Sequence, residues 1–296
     1  MQSLQRIDQA VARALQSAEA RGAPPRLAAA IRHAVLPGGA RIRPQLTLAV
    51  AAACGDDAPE LADGAAAALE LMHCASLVHD DLPCFDDALV RRGRPSVVAA
   101  HGERCAVLAG DALIVMAFEA LARGARRAPL RLPALMAVLS ARVGMPQGIV
   151  AGHGWECEDW VALPDYQRAK TGSLFAAATE MGALAAGADP APWRAFGECL
   201  GEAYQIADDI RDVAGDLQTL GKPVGRDRTL GRPSAVAELG MAGALAYFEG
   251  LVDRAGAAVP EGPGARTLRA ILHAEAERLL PESLRAQALP MAAAAA

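Results

Sequence analysis

Apolar residues recur three and four positions apart along most of the chain, and Gly and Pro interrupt this pattern at intervals. Residues at that spacing lie on one face of an α-helix, so the pattern predicts one helix after another. The alternation of apolar and polar residues that is typical of strands does not extend over a useful length. The sequence therefore predicts an all-α protein, with helices over residues 4–20, 24–35, 43–53, 61–78, 105–122, 133–144, 166–186, 191–213, 235–255 and 264–280.

Two of these segments, 61–78 and 105–122, are almost wholly apolar, which predicts helices that are buried on all sides. No apolar run approaches the length that spans a bilayer, so we expect no stable membrane anchor. The low-complexity segment 291–296 is expected to fray. We expect residues 1–296 to form a single domain with central helices wrapped by others.

Composition adds three constraints. With 296 residues the chain can bury a sizeable core, and its net charge of −5 gives no indication of nucleic-acid binding. The six cysteines are scattered without a Cys-x-x-Cys pair, which favours reduced core thiols over a disulfide framework or a zinc site. Residues 1–6 lack the pattern of a secretory signal, so we expect a cytoplasmic protein.

Two acidic clusters, each directly after an apolar stretch, are the candidate chemistry. The first is Asp-Asp-Leu-Pro-Cys-Phe-Asp-Asp at 80–87, and the second is Asp-Asp-Ile-Arg-Asp at 208–212. A solvated helix end would explain one cluster alone. Carboxylates crowded beside apolar helices repel each other, however, and need a compensating charge. Because Mg²⁺ takes carboxylate and phosphate oxygens as ligands, two facing clusters predict several Mg²⁺ ions around a diphosphate.

The order of four motifs resembles that of the short-chain trans-polyprenyl diphosphate synthases. The motifs are Gly-Gly-Ala-Arg-Ile-Arg-Pro at 38–44, the first acidic cluster with Arg-Arg-Gly at 91–93, Lys-Thr-Gly at 170–172, and residues 205–212. The resemblance extends from about residue 30 to 235. It implies the isoprenoid synthase fold, a bundle of long antiparallel helices around a central active-site cavity, and a homodimer.

The resemblance also implies the reaction. An allylic diphosphate loses its diphosphate to give an allylic cation, isopentenyl diphosphate attacks this cation, and a proton leaves to the released diphosphate. Three Mg²⁺ ions per active site neutralise the departing diphosphate. The matching metal-binding residues are Asp80, Asp81, Asp86, Asp208, Asp209 and Asp212. The last acidic position of the first motif is ambiguous, and we assign it to Asp86 rather than to Asp87.

The implied substrate contacts fall into three groups. Arg91, Lys170 and Lys222 match residues that bind the allylic diphosphate. Thr171 and Gln205 match groups that lie near the developing cation. Arg43, His73 and Arg92 match the cradle for isopentenyl diphosphate.

Three departures from the family pattern affect the site. Ala40 replaces a usual Lys, so we expect weaker binding of isopentenyl diphosphate unless Arg41 or another basic side chain substitutes. His153 and Glu156 stand where the family usually has Gln and Asp. The chain also lacks the basic C-terminal tail that often helps to close the site.

Product length is predicted from the residues one and two turns before Asp80, beside which the growing chain would lie. These residues are Ala75, Ser76, Met72 and Leu71, and Met116 could contribute to the tunnel floor. A small Ala75 leaves room for one more isoprene unit, since a helical turn rises about 5.4 Å. The two-residue-longer first motif also looks like that of bacterial geranylgeranyl diphosphate synthases. We therefore predict a C20 product.

Three alternatives remain open. A farnesyl diphosphate synthase would close the tunnel earlier and stop at C15. A terpene cyclase would share the aspartates but would not need Arg43, His73 and Arg92. A non-catalytic regulatory subunit is favoured by Ala40 and the missing tail, and disfavoured by the six aspartates. The sequence does not distinguish the allylic starter or the pathway, carotenoid biosynthesis among them.

Overall fold

The computed structural model describes residues 2–214, 234–282 and 284–285. The predicted substrate residue Lys222 and the predicted fraying of 291–296 lie outside the described residues. The contacts group the chain into two compact units. The first contains the described part of Met1–Leu139 together with Met181–Ala188, and the second contains Ser140–Glu180 and the described part of Asp189–Ala296.

The first unit is built around a long helix that ends at the first acidic cluster. This helix packs most extensively against α6, and also against α3 and α1. Its elements are α1 (Gln2–Leu15), α2 (Pro25–Val35), α3 (Ile42–Ala53), α4 (Pro59–Asp80), the antiparallel pair β1 (Val90–Arg91) and β2 (Arg94–Pro95), α5 (Val97–His101), α6 (Glu103–Gly124), two 3₁₀ turns (Ala125–Arg127 and Pro129–Arg131) and the first part of α7 (Leu132–Val143).

The second unit is built around the helix that contains the second acidic cluster. Its elements after α7 are α8 (Ile149–Gly154), a 3₁₀ turn (Trp155–Cys157), α9 (Leu163–Gln167), a π-helical turn (Arg168–Gly172), α10 (Ser173–Ala185, whose last residues belong to the first unit), α11 (Ala191–Ala214), α12 (Ala235–Ala258) and α13 (Ala265–Leu279). Helix α11 packs against α12 and the π-helical turn. Helix α12 is kinked at Gly240, whose φ is +69°.

The predicted helical class is confirmed, and the predicted helices are present with ends shifted by a few residues. Two predictions of local structure differ. The segment 166–186 is not one α-helix, because the π-helical turn at Arg168–Gly172 interrupts it. The short β1–β2 hairpin, α5 and α8 were not predicted, since elements of two to six residues contain too little of a period to detect.

Two statements about the apolar segments are wrong. One is that no apolar run approaches the length that spans a bilayer, and the other is that the segment 105–122 is buried on all sides. By length and composition alone, three of the described helices, α4, α6 and α12, are long and apolar enough to cross a membrane. Helix α4 is buried as predicted, with 83% of its most apolar window inside the protein, but only 44% of the corresponding α6 window is buried. The exposed face of α6 contains Val107, Leu108 and Val115, so hydropathy alone did not distinguish it from the packed face.

The cysteines are free thiols, as predicted, but they are not all in the core. Cys74 is buried, whereas Cys84 and Cys157 are exposed. Burial beside Glu70 raises the pKa of the Cys74 thiol to about 12, so this thiol stays protonated at neutral pH.

An ion pair between Arg41 and Glu70 is buried in the first unit. The two side chains are 3% and 2% exposed, and Arg41 Nη1 donates to Glu70 Oε1 at 2.5 Å. Arg41 Nη2 also donates to the Val35 carbonyl at 3.0 Å, which ties the start of α3 to the end of α2. A buried charge that loses its partner has no water to replace it, so each side chain depends on the other.

We predict that Glu70→Gln lowers the free energy of unfolding by about 3–5 kcal/mol, because it removes the buried countercharge of Arg41 and leaves the guanidinium with the exposed carboxylate of Asp8, 3.8 Å from Nε. Urea denaturation at neutral pH measures this loss. The matched control is Glu19→Gln, which removes the exposed pair with Arg32 and should cost less than about 1 kcal/mol. Equal losses in the two variants would contradict the prediction.

Candidate active site

The first acidic cluster folds back over the end of α4. Asp80 is the last residue of α4 and Asp81 is its C-cap. The N–H of Asp86 donates to the carbonyl of Asp80 at 2.9 Å, and the N–H of Ala88 donates to that of Asp81 at 3.2 Å. These bonds satisfy carbonyls that a helix end leaves without partners. They also bring Asp86 beside Asp80 and Asp81, whereas Asp87 is exposed, and the assignment of the metal-binding role to Asp86 stays a prediction.

One guanidinium lies among the three carboxylates. Arg91 Nη2 is 2.6 Å from Asp81 Oδ1, 3.8 Å from Asp80 Oδ2 and 3.9 Å from Asp86 Oδ2. Arg91 Nε donates to the same Asp81 oxygen at 2.9 Å. The structure therefore places three predicted metal-binding residues, Asp80, Asp81 and Asp86, around the positive charge of Arg91, which is a predicted diphosphate-binding residue.

Burial dominates the electrostatics of this cluster. It raises the pKa of Asp81, and the neighbouring charges of Asp80 and Asp86 raise it further, while Arg91 lowers it. The same carboxylates raise the pKa of the Arg91 guanidinium against the effect of its own burial. Any cation that interacts with all three carboxylates therefore reduces the repulsion among them and stabilises the cluster.

The arginine pair 91–92 is held in place by the turn on which it lies. Arg91 ends β1, and Arg92 begins the turn with φ at +55°. On the other side of the hairpin, His33 Nε2 donates to the Pro95 carbonyl at 2.9 Å. In that tautomer His33 Nδ1 accepts from His101 Nε2 at 3.0 Å, and Arg94 donates to the His33 carbonyl. Helix α2 and α5 thereby fix the position of the two arginines.

The three residues of the predicted isopentenyl cradle, Arg43, His73 and Arg92, all belong to the first unit, and their binding roles stay predictions. His73 lies on α4, and Arg43 and Arg92 are the charges that act on it most strongly. The side chain of Arg92 packs on Gly39, where a Cβ would lie 3.1 Å from the guanidinium carbon. A side chain at residue 39 would require this guanidinium to move by a few tenths of an ångström.

Arg41 does not replace the missing Lys at position 40. Its guanidinium is buried and paired with Glu70, so the proposed substitution of this side chain for the family's usual Lys is wrong. The predicted cradle contains two positive charges, those of Arg43 and Arg92, and both act on His73. Burial, followed by these two arginines, lowers the pKa of His73 well below its ordinary value, which keeps the ring neutral.

The Lys-Thr-Gly motif lies on the π-helical turn Arg168–Gly172. Single π-helical turns inside helices frequently occur at functional sites. Two close backbone approaches hold this turn. A Cβ at Gly152 would lie 2.5 Å from Lys170 Cα, and a Cβ at Gly201 would lie 2.6 Å from Gly172 Cα. Helices α8 and α11 can therefore pack directly against the turn only because both contacts involve glycine.

Adjacent side chains of the motif reach different partners. Lys170 Nζ pairs with Glu156 Oε1, and Tyr166 Oη donates to the same oxygen at 2.6 Å. Thr171 Oγ1 donates to Gln205 Oε1 at 2.7 Å. Glu156, which replaces the usual Asp of the family, is thus the countercharge for the predicted diphosphate-binding Lys170. The two residues predicted near the allylic cation, Thr171 and Gln205, are in direct contact.

The three aspartates of the second cluster have different surroundings on α11. The Asp208 side chain is 34% exposed and accepts from Arg211 at 2.9 Å. Asp209 is 1% exposed and accepts from the side chains of Gln205 and Gln167 and from the backbone N–H of Ala235. Asp212 is 5% exposed. The predicted metal-binding roles of these residues stay predictions.

The donor set of the first cluster fits Mg²⁺. Three carboxylates from Asp80, Asp81 and Asp86 lie within 4 Å of one nitrogen atom, so a single cation can interact with all three, and oxygen ligands are those that Mg²⁺ prefers. In the described part of the chain no group of three or more His, Cys, Asp or Glu side chains has metal-binding geometry.

The predicted chain-length residues lie along α4. Leu71, Met72 and Ala75 are at most 2% exposed, and Ser76 is half-buried with its hydroxyl on the His73 carbonyl. Met116 on α6 is also buried.

Sequence reasoning missed two residues of the site. Gln167 is 2% exposed and donates to Asp209 Oδ2 at 3.2 Å, and Tyr166 orients Glu156. They lie three and four residues before the Lys-Thr-Gly motif, so their position near that motif was the available signal. Their partners come from segments that no local spacing relates to them.

The comparison with protein families identifies this arrangement. The model of the polyprenyl synthetase family matches residues 24–247. The chain belongs to this family, and its helical fold is that of the isoprenoid synthases. The match contains both acidic clusters, the arginine pair and the Lys-Thr-Gly motif.

Several characterised relatives are similar over nearly their whole length. The chain is 52% identical to a geranylgeranyl diphosphate synthase of Cereibacter sphaeroides over 283 residues, which cover 96% of this chain and 98% of the relative. It is 48% identical to a geranylgeranyl diphosphate synthase of Rhodobacter capsulatus, covering 93% of this chain and 95% of the relative. Among solved structures it resembles a geranyltransferase of Helicobacter pylori complexed with magnesium and isoprenyl diphosphate, with a TM-score of 0.77, 30% identity and coverage of 92% and 97%.

We predict that acid destabilises the protein partly through His73. The pKa of His73 is lowered in the folded state, whereas an unfolded chain has a histidine pKa of about 6.5. The unfolded state therefore binds more protons as the pH falls below about 6.5, and stability is lost in that direction. Urea denaturation at pH 7.5 and 5.5 should show a smaller pH-dependent loss for His73→Gln than for the wild type. An identical pH dependence in both proteins would contradict the prediction.

Proposed function

We propose that this protein is a trans-prenyltransferase that condenses isopentenyl diphosphate with an allylic diphosphate and releases geranylgeranyl diphosphate. The observation that carries the proposal is the arrangement at the end of α4. Asp80, Asp81 and Asp86 converge on Arg91, and the adjacent arginine of the same turn belongs to the cradle around His73. Membership of the polyprenyl synthetase family and the 52% identity to a geranylgeranyl diphosphate synthase support the same reaction.

The aspartates are the proposed ligands of three Mg²⁺ ions, and the magnesium in the Helicobacter pylori geranyltransferase structure supports this metal. Bound Mg²⁺ would supply Lewis-acid stabilisation of the negative charge on the departing diphosphate. The chain's own cations contribute to the same stabilisation. Arg91 and Lys170 are now paired with carboxylates, and each has N–H donors that bind phosphate oxygens when a diphosphate is present.

The remaining groups orient the two substrates. In the cradle, Arg43 and Arg92 bind the diphosphate of the isopentenyl substrate, and neutral His73 donates a hydrogen bond without adding a third charge. The oxygens of Thr171 and Gln205 stabilise the allylic cation by their dipoles. The double bond of isopentenyl diphosphate then forms the new carbon–carbon bond, and the proton leaves to the released diphosphate, so no side-chain base is required.

The size of Ala75 is our proposed determinant of product length. This residue is small and buried, and the larger Leu71 and Met72 follow one turn deeper on α4. An additional isoprene unit needs about the rise of one helical turn, 5.4 Å. We assign the C20 length to the space beside Ala75 and the tunnel floor to the deeper residues.

Product analysis tests the function and this determinant together. Purified protein with Mg²⁺, isopentenyl diphosphate and dimethylallyl, geranyl or farnesyl diphosphate should give a C20 product by chromatography, and EDTA should abolish it. Ala75→Tyr should shift the product to C15, because the phenol ring fills the space of the last isoprene unit.

The control for this test is Ala75→Ser, which adds one oxygen and should leave the product at C20. A C15 product from the wild type would keep the chemistry and identify the protein as a farnesyl diphosphate synthase. A C20 product from Ala75→Tyr would show that the tunnel floor lies elsewhere. No product from the wild type with any starter would refute the proposed function.

We also propose that the protein is a homodimer that uses α6. Leu108 and Val115 are 51% and 68% exposed, and their separation of seven residues places them on one face of α6. The limited burial of this apolar helix supports a partner surface along it.

The six free thiols support a reducing compartment, and we place the protein in the cytoplasm.

Val115→Glu should convert the dimer to the 30.6-kDa monomer, because a charge at the centre of an apolar interface loses its water without gaining a partner. Sedimentation velocity measures the change. Leu130→Glu is the matched control, since Leu130 is 93% exposed but lies outside α6, and it should leave the sedimentation coefficient unchanged. A wild-type protein that sediments only as a monomer would refute the dimer.

A further inference from the structure

The hairpin β1–β2 bears the two predicted substrate arginines, but it contains only two residue pairs. Val90 pairs with Pro95 and Arg91 pairs with Arg94, while Arg92 lies in the turn between the strands. A two-stranded hairpin is marginally stable at best in water when nothing else supports it. Contacts with other elements must therefore hold this hairpin in place.

His33 on α2 contacts the hairpin through both its backbone and its side chain. Its carbonyl accepts from the Arg94 guanidinium, and its Nε2 donates to the Pro95 carbonyl at 2.9 Å. A carbonyl has no proton to give, so Nε2 must carry the hydrogen and Nδ1 of the neutral ring is an acceptor. His101 Nε2 on α5 lies 3.0 Å from this Nδ1 and is therefore the donor. The His33 ring thus connects α5 to the hairpin.

The position of His33 is coupled to that of the arginines. His33 lines one small cavity together with Arg91, Arg92 and Arg94. Because Arg91 and Arg92 are adjacent residues of the hairpin, a movement of the hairpin relative to α2 would move both guanidinium groups at once. Small misplacements of groups that orient a substrate are costly, up to about 100-fold in rate.

The histidine pair, His33 and His101, keeps its hydrogen bond with at most one additional proton. In the neutral pair each ring has one N–H, and the two bonds have one direction, from His101 to His33 to Pro95. One more proton leaves a donor facing an acceptor, whichever ring carries it. A second proton would place two N–H groups and two positive charges face to face at 3.0 Å, and the bond would be lost.

The surroundings of the histidine pair favour its neutral form. Burial, followed by the charges of His33 and Arg26, lowers the pKa of His101. A histidine in water has a pKa of about 6.5, so the opened pair binds protons more readily, and the closed pair loses stability as the pH falls below about 6.5. The titratable and charged groups that line the cavities around the pair come from α2, the end of α4, the hairpin and α6, and they are Arg26, Cys74, Asp81, Arg91, Arg92, Arg94, Glu103, Arg104 and Cys105.

We propose that His33 is a positioning residue, which together with His101 fixes the hairpin that bears Arg91 and Arg92, and that the bond between the two rings breaks when both are protonated. This inference rests on the proposed function for what the two arginines bind. The chain of hydrogen bonds and its loss in acid do not depend on the reaction.

His33→Phe tests the positioning role in the full-length protein, because it keeps an aromatic ring and removes both side-chain hydrogen bonds. At pH 7.5 it should raise the KM values of isopentenyl diphosphate and of the allylic diphosphate about two- to tenfold, the scale of one lost hydrogen bond. Both values should rise, since both arginines lie on the same hairpin, and kcat should change less than either. Unchanged KM values in a folded His33→Phe protein would overturn the proposal.

His101→Gln tests the loss of the bond in acid. Its amide can present either an N–H or an oxygen to His33 Nδ1, so the bond persists whether or not His33 is protonated. This variant should have wild-type kinetics at pH 7.5. Between pH 7.5 and 5.0 the wild type should lose hydrogen-exchange protection at the amides of residues 90–96, and His101→Gln should retain it.

The matched control for this test is His273→Gln, which removes an exposed histidine of α13 and should lose protection as the wild type does. Equal losses in the wild type and in His101→Gln would overturn the proposal, and so would full protection of the wild type at pH 5.0.

A third variant covers the case in which His33→Phe does not fold. His101→Leu removes the donor to His33, and it should weaken the binding of inorganic diphosphate with Mg²⁺ at pH 7.5, measured by calorimetry against His273→Gln. Equal affinities in the two variants would count against the proposal. A wild type that is inactive with every starter would refute the proposed function, and the exchange protection of residues 90–96 would still decide the role of the histidine pair.

Discussion

The crowding of three carboxylates at the buried end of α4 is the constraint on which the first unit depends. Asp80 and Asp81 lie where the helix dipole disfavours negative charge, and the fold-back of the following loop adds Asp86. Without a cation this arrangement would be strongly repulsive. Arg91 provides the cation in the protein alone, and its place in the hairpin is secured by contacts of His33 with Pro95 and Arg94.

The same constraint explains why the cluster suits charge separation. Asp80, Asp81 and Asp86 are the residues that would hold Mg²⁺, whose positive charge would replace that of Arg91 among the carboxylates, and the N–H groups of Arg91 are suited to bind phosphate oxygens. The number of positive charges is also limited in the predicted cradle around His73. Burial, followed by the charges of Arg43 and Arg92, lowers the pKa of His73 and keeps the ring neutral, so the histidine adds no third positive charge beside the two arginines.

In the second unit the equivalent constraint is that buried N–H groups must find a hydrogen-bond acceptor. Asp209 satisfies two side-chain amides and one helix N-terminus, and the glycines at 152 and 201 allow α8 and α11 to approach the π-helical turn. Motif residues that look equivalent in the sequence are therefore not equivalent in the protein. Adjacent aspartates on one helix differ in burial from 34% for the side chain of Asp208 to 1% for Asp209.

The sequence by itself determined the helical class, the helix order and the position of both acidic clusters, because helical periodicity and the spacing of motifs act over a few residues. The tertiary structure decided the partners of the polar side chains. A backbone hydrogen bond to Asp80 places Asp86, rather than Asp87, in the first cluster. Arg41 forms its buried ion pair with Glu70, which is 29 residues away in the sequence. Gln167 meets Asp209 across 42 residues, and α6 keeps an exposed apolar face. Such contacts depend on which segments pack together, and a local pattern contains no information about that.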